Sequence, residues 1–194
     1  MLTEEHFELF KEFRARAMGD KLREMVEDDS YDAHTLEERM ETLIDAEASA
    51  RRERKVAKLV KQARFKTPSA CVEDIVHLPD RKLSRDRIAR YAECDWVEKC
   101  EVMVIISKTG GGKSYLCQAL GNAACRKLIE VRHAQLAGIC EELNRARAAA
   151  DGSYYELMDG LKTIPLLLVD DFMTTPITTQ NADRKSTRLN SSHP

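Results

Sequence analysis

The stretch Val102-Met-Val-Ile-Ile-Ser107-Lys-Thr-Gly-Gly-Gly-Lys113-Ser114 decides the fold. Its first five residues are apolar, which predicts a buried β-strand over residues 102–106. Three consecutive glycines follow, and residues 114–127 then carry apolar side chains at helical spacing. A buried strand, a glycine turn and a helix in this order predict the first unit of an α/β fold with a parallel sheet.

The glycine cluster has the composition of a loop that binds phosphate. Consecutive glycines let the backbone curl until its N–H groups point inward at anionic oxygens, and the following helix adds the positive end of its dipole. Lys113 is then placed to reach the β- and γ-phosphates, and the Ser114 hydroxyl to bind Mg²⁺. This is the Walker A pattern; the alternative is an ordinary glycine turn before a helix. The expected nucleotide-binding residues are Ser107, Lys108, Thr109, Gly110, Gly111, Gly112, Lys113, Ser114 and Tyr115.

Ser107 stands where the Walker A pattern has its first glycine. If that position requires a positive φ, serine is strained there by about 1–3 kcal/mol, whereas a negative φ makes the substitution nearly neutral. The sequence leaves both possibilities open.

A second motif, Leu166-Leu-Leu-Val-Asp170-Asp171, is an apolar strand that ends in two carboxylates. Downstream of a Walker A loop this is the Walker B pattern, in which Asp170 holds Mg²⁺ and Asp171 orients or deprotonates the attacking water. Many ATPases have glutamate at the second position, and aspartate is one methylene shorter. We therefore expect slow hydrolysis.

The remaining elements follow from hydrophobic periodicity and turn residues. A linker is predicted over 67–83 and a helix over 84–96. After the glycine loop and its helix, the pattern predicts a strand near 129–132, helices over 134–149 and 154–161, and a strand over 166–170. Alternating strands and helices indicate a parallel sheet.

The first 66 residues predict a helical module with strongly divided charge. Helices are expected over 4–25 and 35–66, and Thr35 with Glu38 has the spacing of a capping box. Residues 1–50 carry six basic and 15 acidic side chains, whereas residues 51–66 carry eight basic and one acidic. The basic half can contact DNA phosphates without sequence preference; the alternative is a solvated face or one that contacts acidic neighbours. The candidate DNA-binding residues are Arg51, Arg52, Arg54, Lys55, Lys58 and Lys61.

Cysteine spacing and hydropathy limit the protein class. The six cysteines form no C-x-x-C pair, so neither a zinc site nor a disulfide framework is predicted. The apolar stretches are too short to cross a bilayer, and the acidic N-terminus is unlike a signal peptide. We therefore expect a cytoplasmic protein with reduced thiols and no membrane partner.

With these motifs in place, the chain resembles the IstB-like helper ATPases of insertion sequences, relatives of the DnaC helicase loaders within the AAA+ class. The likeness rests on the Walker A stretch and on Leu36-Glu-Glu-Arg-Met, Ala63-Arg-Phe-Lys-Thr-Pro-Ser, Cys94-Asp-Trp-Val, Ala119-Leu-Gly-Asn-Ala-Ala-Cys and Asp170-Asp-Phe-Met-Thr-Thr-Pro. It implies an AAA+ P-loop NTPase that uses ATP and Mg²⁺. It also implies non-specific DNA binding, a homo-oligomer when full length, and a partner transposase. A DnaC-like helicase loader and a non-hydrolysing DNA-binding adapter are the alternatives. Met173 departs from the family, which usually has glycine there.

The last residues, 183–194, resemble the translation of a sequencing adapter, and we expect the family likeness to end at Ala182. The expected segments are a helical module over 1–66, a linker and helix over 67–97 and a C-terminally truncated ATP-binding domain over 98–182. In sheets of this type another strand separates the Walker A and Walker B strands. Without it, residues 102–106 either face a gap or pair directly with residues 166–170. We expect ATP hydrolysis of the full-length protein and impaired hydrolysis in this chain.

Overall fold

The computed structural model describes residues 2–76 and 83–172. The chain divides between Ala57 and Lys58 into two compact units. Met173, the segment 183–194 and the Leu78–Arg81 part of the expected linker lie outside the described residues.

The first unit contains two short helices where the sequence predicts one. The helices are α1 (Glu4–Glu12) and α2 (Arg16–Glu27), and a short 3₁₀ helix follows at Asp29–Ala33. Between α1 and α2, Arg14 adopts a φ of 56°. Because a left-handed residue ends the helical hydrogen-bond pattern, the predicted single helix over 4–25 is wrong at this point.

Helix α3 (Leu36–Ala63) is continuous over 28 residues, as the absence of proline predicts. Its first turn has the predicted capping box. The backbone N–H of Thr35 donates to Glu38 Oε2 at 2.7 Å, and the Glu38 N–H donates to Thr35 Oγ1 at 3.3 Å. These bonds satisfy donors that the start of a helix otherwise leaves without partners.

Helix α3 also stabilises the start of α2 through a buried carboxylate. Glu47 is 5% exposed, and its Oε2 accepts hydrogen bonds from the N–H groups of Ala17 at 3.0 Å and Met18 at 3.4 Å. Arg51 and Arg54 bind the other oxygen at 2.7 and 3.1 Å. Glu47 therefore caps α2, whose own N-cap residue, Ala15, has no side-chain acceptor.

The second unit alternates helices and strands. Its elements are α4 (Arg85–Ala92), α5 (Asp95–Glu98), α6 (Lys113–Arg126), β1 (Val131–Gln135), α7 (Leu136–Ala149), α8 (Ser153–Thr163) and β2 (Leu166–Asp170). Strands β1 and β2 pair in parallel, with Val131 opposite Leu166 and Gln135 opposite Asp170. The predicted helix over 84–96 is interrupted at Cys94, which has a φ of 62°. An α/β class with an incomplete parallel sheet after a helical module is confirmed.

Helix α6 packs closely on β2. A Cβ atom added to Gly121 would lie 2.6 Å from Leu168 Cδ1 and 2.9 Å from Phe65 Cε1. The buried core around this contact also includes Ala124, Cys125, Val131 and Leu166. This packing fixes the distance between the start of α6 and the carboxyl end of β2, where the two sequence motifs lie.

The predicted strand over 102–106 is wrong. The stretch belongs to no strand of the described chain, and Val102, Val104 and Ile106 are 67%, 73% and 87% exposed. A strand needs a neighbour that pairs with its N–H and C=O groups, and β2 pairs with β1 rather than with this stretch. Direct pairing of residues 102–106 with residues 166–170, one of the two expected arrangements, is therefore also wrong.

Within the described residues, the structure has no helix with both the length and the apolar character that a bilayer crossing requires.

Candidate nucleotide-binding site

The loop before α6 adopts a conformation that depends on its glycines. Gly110 and Gly112 have φ values of 73° and 80°, a backbone conformation that residues with a Cβ atom rarely adopt. The N–H of Gly111 donates to Lys108 O at 3.0 Å, and a Cβ on Gly111 would lie 2.3 Å from Ser107 Oγ. The glycine cluster therefore forms a tight turn directly before the N-terminus of a helix, which is the backbone arrangement that binds phosphate.

Ser107 is not strained at the position of the first glycine. It is absent from the described non-glycine residues with positive φ, and its hydroxyl donates to Lys108 O at 3.2 Å. Because the backbone at Ser107 has an ordinary conformation, the strain that the sequence left open does not arise.

Lys113, the first residue of α6, reaches back over the loop. Its Nζ donates to Ser107 O at 3.1 Å and to Lys108 O at 2.9 Å. The ammonium group therefore lies inside the curve of the loop, held by two neutral carbonyls. An anionic oxygen is a stronger acceptor for an ammonium group than a carbonyl is, so this position suits a lysine that binds phosphate.

Ser114 connects the loop to the second motif. Its hydroxyl donates to Asp170 Oδ1 at 3.0 Å, and the same oxygen accepts the Asp171 N–H at 3.0 Å. Asp170 ends β2 and Ser114 lies in the first turn of α6, so both are at the edge of the sheet where α/β proteins bind ligands.

A hydroxyl and a carboxylate are the hard oxygen ligands that Mg²⁺ takes, usually with phosphate oxygens and water completing the shell. The described residues contain no group of three or more His, Cys, Asp or Glu side chains that could hold a metal without such help. The pair formed by Ser114 and Asp170 thus fits a metal delivered together with a phosphate ligand.

Asp171 lies beside Asp170 but turns toward β1. Its φ is 53°, and its Oδ2 accepts a hydrogen bond from Gln135 Nε2, at the end of β1. Asp171 is exposed, so its carboxylate is open to water. Gln135 is one residue of this region that the motifs did not single out.

Three side chains of α6 hold the segment that precedes α4. Gln118 Oε1 accepts the Thr67 N–H at 2.7 Å, and Asn122 Nδ2 donates to the Pro68 and Ala70 carbonyls at 2.9 and 3.0 Å. Tyr115 was expected to contact the nucleotide. Its hydroxyl oxygen accepts a 3.4 Å hydrogen bond from the Cys71 N–H.

Sequence reasoning missed Gln118 and Asn122, although a signal was present. Ser114, Gln118 and Asn122 are polar at intervals of four on a helix that is otherwise largely apolar. Gln118 and Asn122 are 2% and 8% exposed.

The thiol nearest the site is held in its neutral form. Burial, and then the negative charge of Asp170, raise the pKa of the Cys117 thiol to about 11. Burial likewise raises the pKa of the Cys125 thiol to about 11. At neutral pH both thiols are therefore mainly protonated, and a protonated thiol is a weak nucleophile.

The six candidate DNA-binding residues are all exposed on α3. Arg51 and Arg54 also bind Glu47, and Arg51 Nη2 donates to Arg14 O at 3.1 Å. Two of the six therefore have a structural role in the first unit, which the charge pattern alone did not reveal.

The sequence matches the model of a protein family described as IstB-like ATP binding protein, over residues 9–186. This match covers the glycine loop, α6, β1 and β2.

Curated relatives agree with the family match. An ATP-binding protein of insertion sequence IS1162 from Pseudomonas fluorescens is 28% identical over 172 residues, which are 89% of this chain and 74% of the relative. The insertion sequence ATP-binding protein y4uH of Sinorhizobium fredii (strain NBRC 101917 / NGR234) is 29% identical over 177 residues, 91% of this chain and 70% of the relative. A second protein of that strain, y4pL, is 31% identical over 138 residues, which cover 71% of this chain and 55% of the relative.

Proposed function

Because the chain belongs to the IstB-like ATP-binding protein family, we propose that it binds ATP with Mg²⁺ and acts as a nucleotide-dependent helper of a transposase. The family resemblance drawn from the motifs is confirmed. The observation that carries the proposal is the convergence of Lys113, Ser114 and Asp170 at one end of α6. These are the side-chain types that cradle a triphosphate and its metal.

The glycine loop and the first turn of α6 bind the phosphates in this proposal. Backbone N–H groups of the loop donate to phosphate oxygens, and Lys113 exchanges its two carbonyl acceptors for phosphate oxygens of the β and γ groups. Ser114 and Asp170 hold Mg²⁺ through their oxygens. When bound, the metal neutralises charge on the phosphate oxygens.

Asp171 is the residue that orients or deprotonates the attacking water in this proposal. It follows the metal-binding carboxylate directly and its side chain is exposed to water. The hydrogen bond that Gln135 Nε2 donates to its Oδ2 restricts the orientation of the carboxylate. Because aspartate is one methylene shorter than the glutamate found in many ATPases, we expect slow turnover.

The experiment that tests nucleotide binding replaces the lysine of the loop. Lys113→Ala is expected to weaken ATP binding at least about tenfold, as measured with a fluorescent ATP analogue, because a charge-assisted contact to phosphate is lost. Lys99→Ala is the matched control, since Lys99 is exposed and lies outside the loop. Equal ATP affinity of Lys113→Ala and the unsubstituted chain would refute the proposal.

We further propose that the exposed basic residues of α3 bind DNA and that nucleotide controls assembly of the protein on it. The similar proteins belong to insertion sequences, which supports a transposase as the partner. Non-specific contacts to phosphates release counterions, so DNA affinity is expected to fall steeply with salt. Homo-oligomer formation is part of this proposal for the full-length protein.

A second candidate function is a DNA-binding adapter that does not hydrolyse ATP. The exposure of all six basic residues on α3 favours it, because DNA contact through them needs no nucleotide. DNA retention that falls with salt and ignores ATP would support the adapter, whereas assembly on DNA that requires ATP would support the helper. A DnaC-like helicase loader shares the same nucleotide site, and pull-down of the full-length protein with a transposase would distinguish it from the helper.

A further inference from the structure

His133, in the middle of β1, is a buried polar side chain that the proposed function leaves without a role. Its side chain is 3% exposed, and its Nε2 atom has no hydrogen-bond partner among the described residues. A buried polar atom without a partner is destabilising by about 1–3 kcal/mol, and most folded proteins avoid it. The nitrogen therefore needs an explanation beyond packing.

Packing does not require this nitrogen. The imidazole lies near the Phe65 ring, with a centroid distance of 6.3 Å, and its neighbours Val131 on β1 and Leu168 on β2 belong to the apolar core. Phenylalanine or leucine would fill such a site and leave no polar atom unsatisfied.

The nitrogen faces the carboxylate that we assign to the metal. His133 Nε2 lies 3.7 Å from Asp170 Oδ2, which is too far for a hydrogen bond. The other oxygen, Oδ1, already accepts from the Ser114 hydroxyl and the Asp171 N–H. The two carboxylate oxygens thus have different neighbours: Oδ1 accepts two hydrogen bonds, and Oδ2 faces the His133 imidazole.

We propose that His133 is a positioning residue for Asp170, with its Nε2–H donating to Oδ2 in the metal-bound protein and keeping Oδ1 turned toward Ser114 and Mg²⁺. A shortening of the contact from 3.7 Å to about 3 Å is sufficient. The parallel pairing of β1 with β2 places both residues on a rigid ladder, so only a small side-chain movement is needed. Hydrogen bonds that orient a ligating carboxylate commonly change metal affinity 10- to 100-fold.

This inference rests on the proposed function, and its test measures binding rather than hydrolysis. The full 194-residue chain is titrated with Mg²⁺ in the presence of a fluorescent ATP analogue, and separately with the analogue in EDTA. His133→Phe removes the donor and keeps an aromatic ring against Phe65. His133→Gln keeps an N–H donor. Val131→Ala is the matched structural control, because Val131 is buried on the same face of β1 two residues away.

We expect His133→Phe to raise the Mg²⁺ concentration for half-maximal binding about tenfold and to leave metal-free affinity unchanged. His133→Gln should restore most of the Mg²⁺ response. Val131→Ala should lower the melting temperature without changing the Mg²⁺ response. If His133 had only a structural role, His133→Phe would give this same result. If His133→Phe does not fold, His133→Leu provides the same comparison.

The outcomes are distinguishable. Nucleotide binding by the unsubstituted chain combined with an unchanged Mg²⁺ response in the His133 variants would overturn the positioning role alone. No nucleotide binding by the unsubstituted chain, with or without Mg²⁺, would overturn the proposed function and this inference with it.

Discussion

The Ser114 hydroxyl donates a 3.0 Å hydrogen bond to Asp170 Oδ1 across a sequence separation of 56 residues. Two motifs that the sequence shows separately thereby form one site. The contact depends on α6 packing against β2, where Gly121 allows an approach that any side chain would prevent. This packing holds the start of α6 next to the end of β2.

Removing the Ser114 hydroxyl is expected to weaken the Mg²⁺-dependent part of ATP binding. Ser114→Ala deletes one oxygen ligand and leaves Lys113 and the loop backbone in place, so we expect about tenfold weaker binding with Mg²⁺ and little change in EDTA. Isothermal titration calorimetry with and without Mg²⁺ measures both values. Ser153→Ala, at the start of α8, is the control, and an equal loss in both buffers would contradict the assignment.

Gly121→Ala is expected to destabilise the protein, although alanine is the better helix former by about 1 kcal/mol. The added methyl group would lie 2.6 Å from Leu168 Cδ1, and overpacking of this kind is unfavourable by about 1–3 kcal/mol. Gly160→Ala, in α8, is the matched control, because a Cβ there meets nothing within 4 Å and stabilisation is expected. Urea denaturation compares the two. Stabilisation by Gly121→Ala would show that α6 and β2 pack less closely than described.

Glu47 is expected to make the first unit sensitive to acid. The hydrogen bond from Arg51 is the main cause that lowers the pKa of the Glu47 carboxyl below the usual value for glutamate. A carboxyl with a lowered pKa in the folded state contributes stability above pH 4.5, and this contribution is lost as the pH falls through the folded-state value.

Glu47→Gln should therefore reduce stability by about 1–3 kcal/mol at neutral pH and flatten the loss of stability below pH 4.5. Thermal melts followed by circular dichroism measure stability between about pH 3 and 7, a range that brackets the usual carboxyl pKa of about 4. Glu8→Gln is the control, since its pair with Lys11 is exposed and contributes little. Parallel pH profiles for Glu47→Gln and the unsubstituted chain would show that the ionised carboxylate of Glu47 does not contribute to stability.

The cysteines are expected to differ in the rate at which their thiols are alkylated. A thiol with a pKa of about 11 has only about a thousandth of its population as thiolate at pH 8, so Cys117 and Cys125 should react slowly with iodoacetamide in the folded protein. Cys100 is exposed and should react first. Peptide mass spectrometry after timed alkylation gives the order, and full reaction in urea is the control. Fast modification of the half-buried Cys117 in the folded chain would contradict the raised pKa of its thiol.

Much of the local structure was predictable because its cause is local. The capping box at Thr35 and Glu38 starts α3, and the strand ending at Asp170 has the predicted bounds. The glycine turn also forms where the motif predicts it. In each case neighbouring residues supply both the pattern and the interaction that stabilises it. The division of the chain into four segments stays a prediction.

The sequence-based predictions were wrong where contacts with residues distant in the chain determine the structure. The stretch 102–106 is as apolar as a buried strand, yet it has no strand partner in the described chain. The helix breaks at Arg14 and Cys94 depend on left-handed residues that carry no glycine signal. The roles of Glu47 and His133 follow from contacts with other elements, which their neighbours in the sequence do not indicate.

The sequence by itself determined the helical module, the order of helices and strands from α6 to β2, and the glycine turn before Lys113 and Ser114. These depend on periodicity, capping and glycine content over a few adjacent residues. Only the tertiary structure decided that Ser114 meets Asp170, that His133 faces the same carboxylate, and that residues 102–106 are exposed. The physical reason is that strand pairing and packing across α6 and β2 join residues far apart in the chain, and no local pattern records such partners.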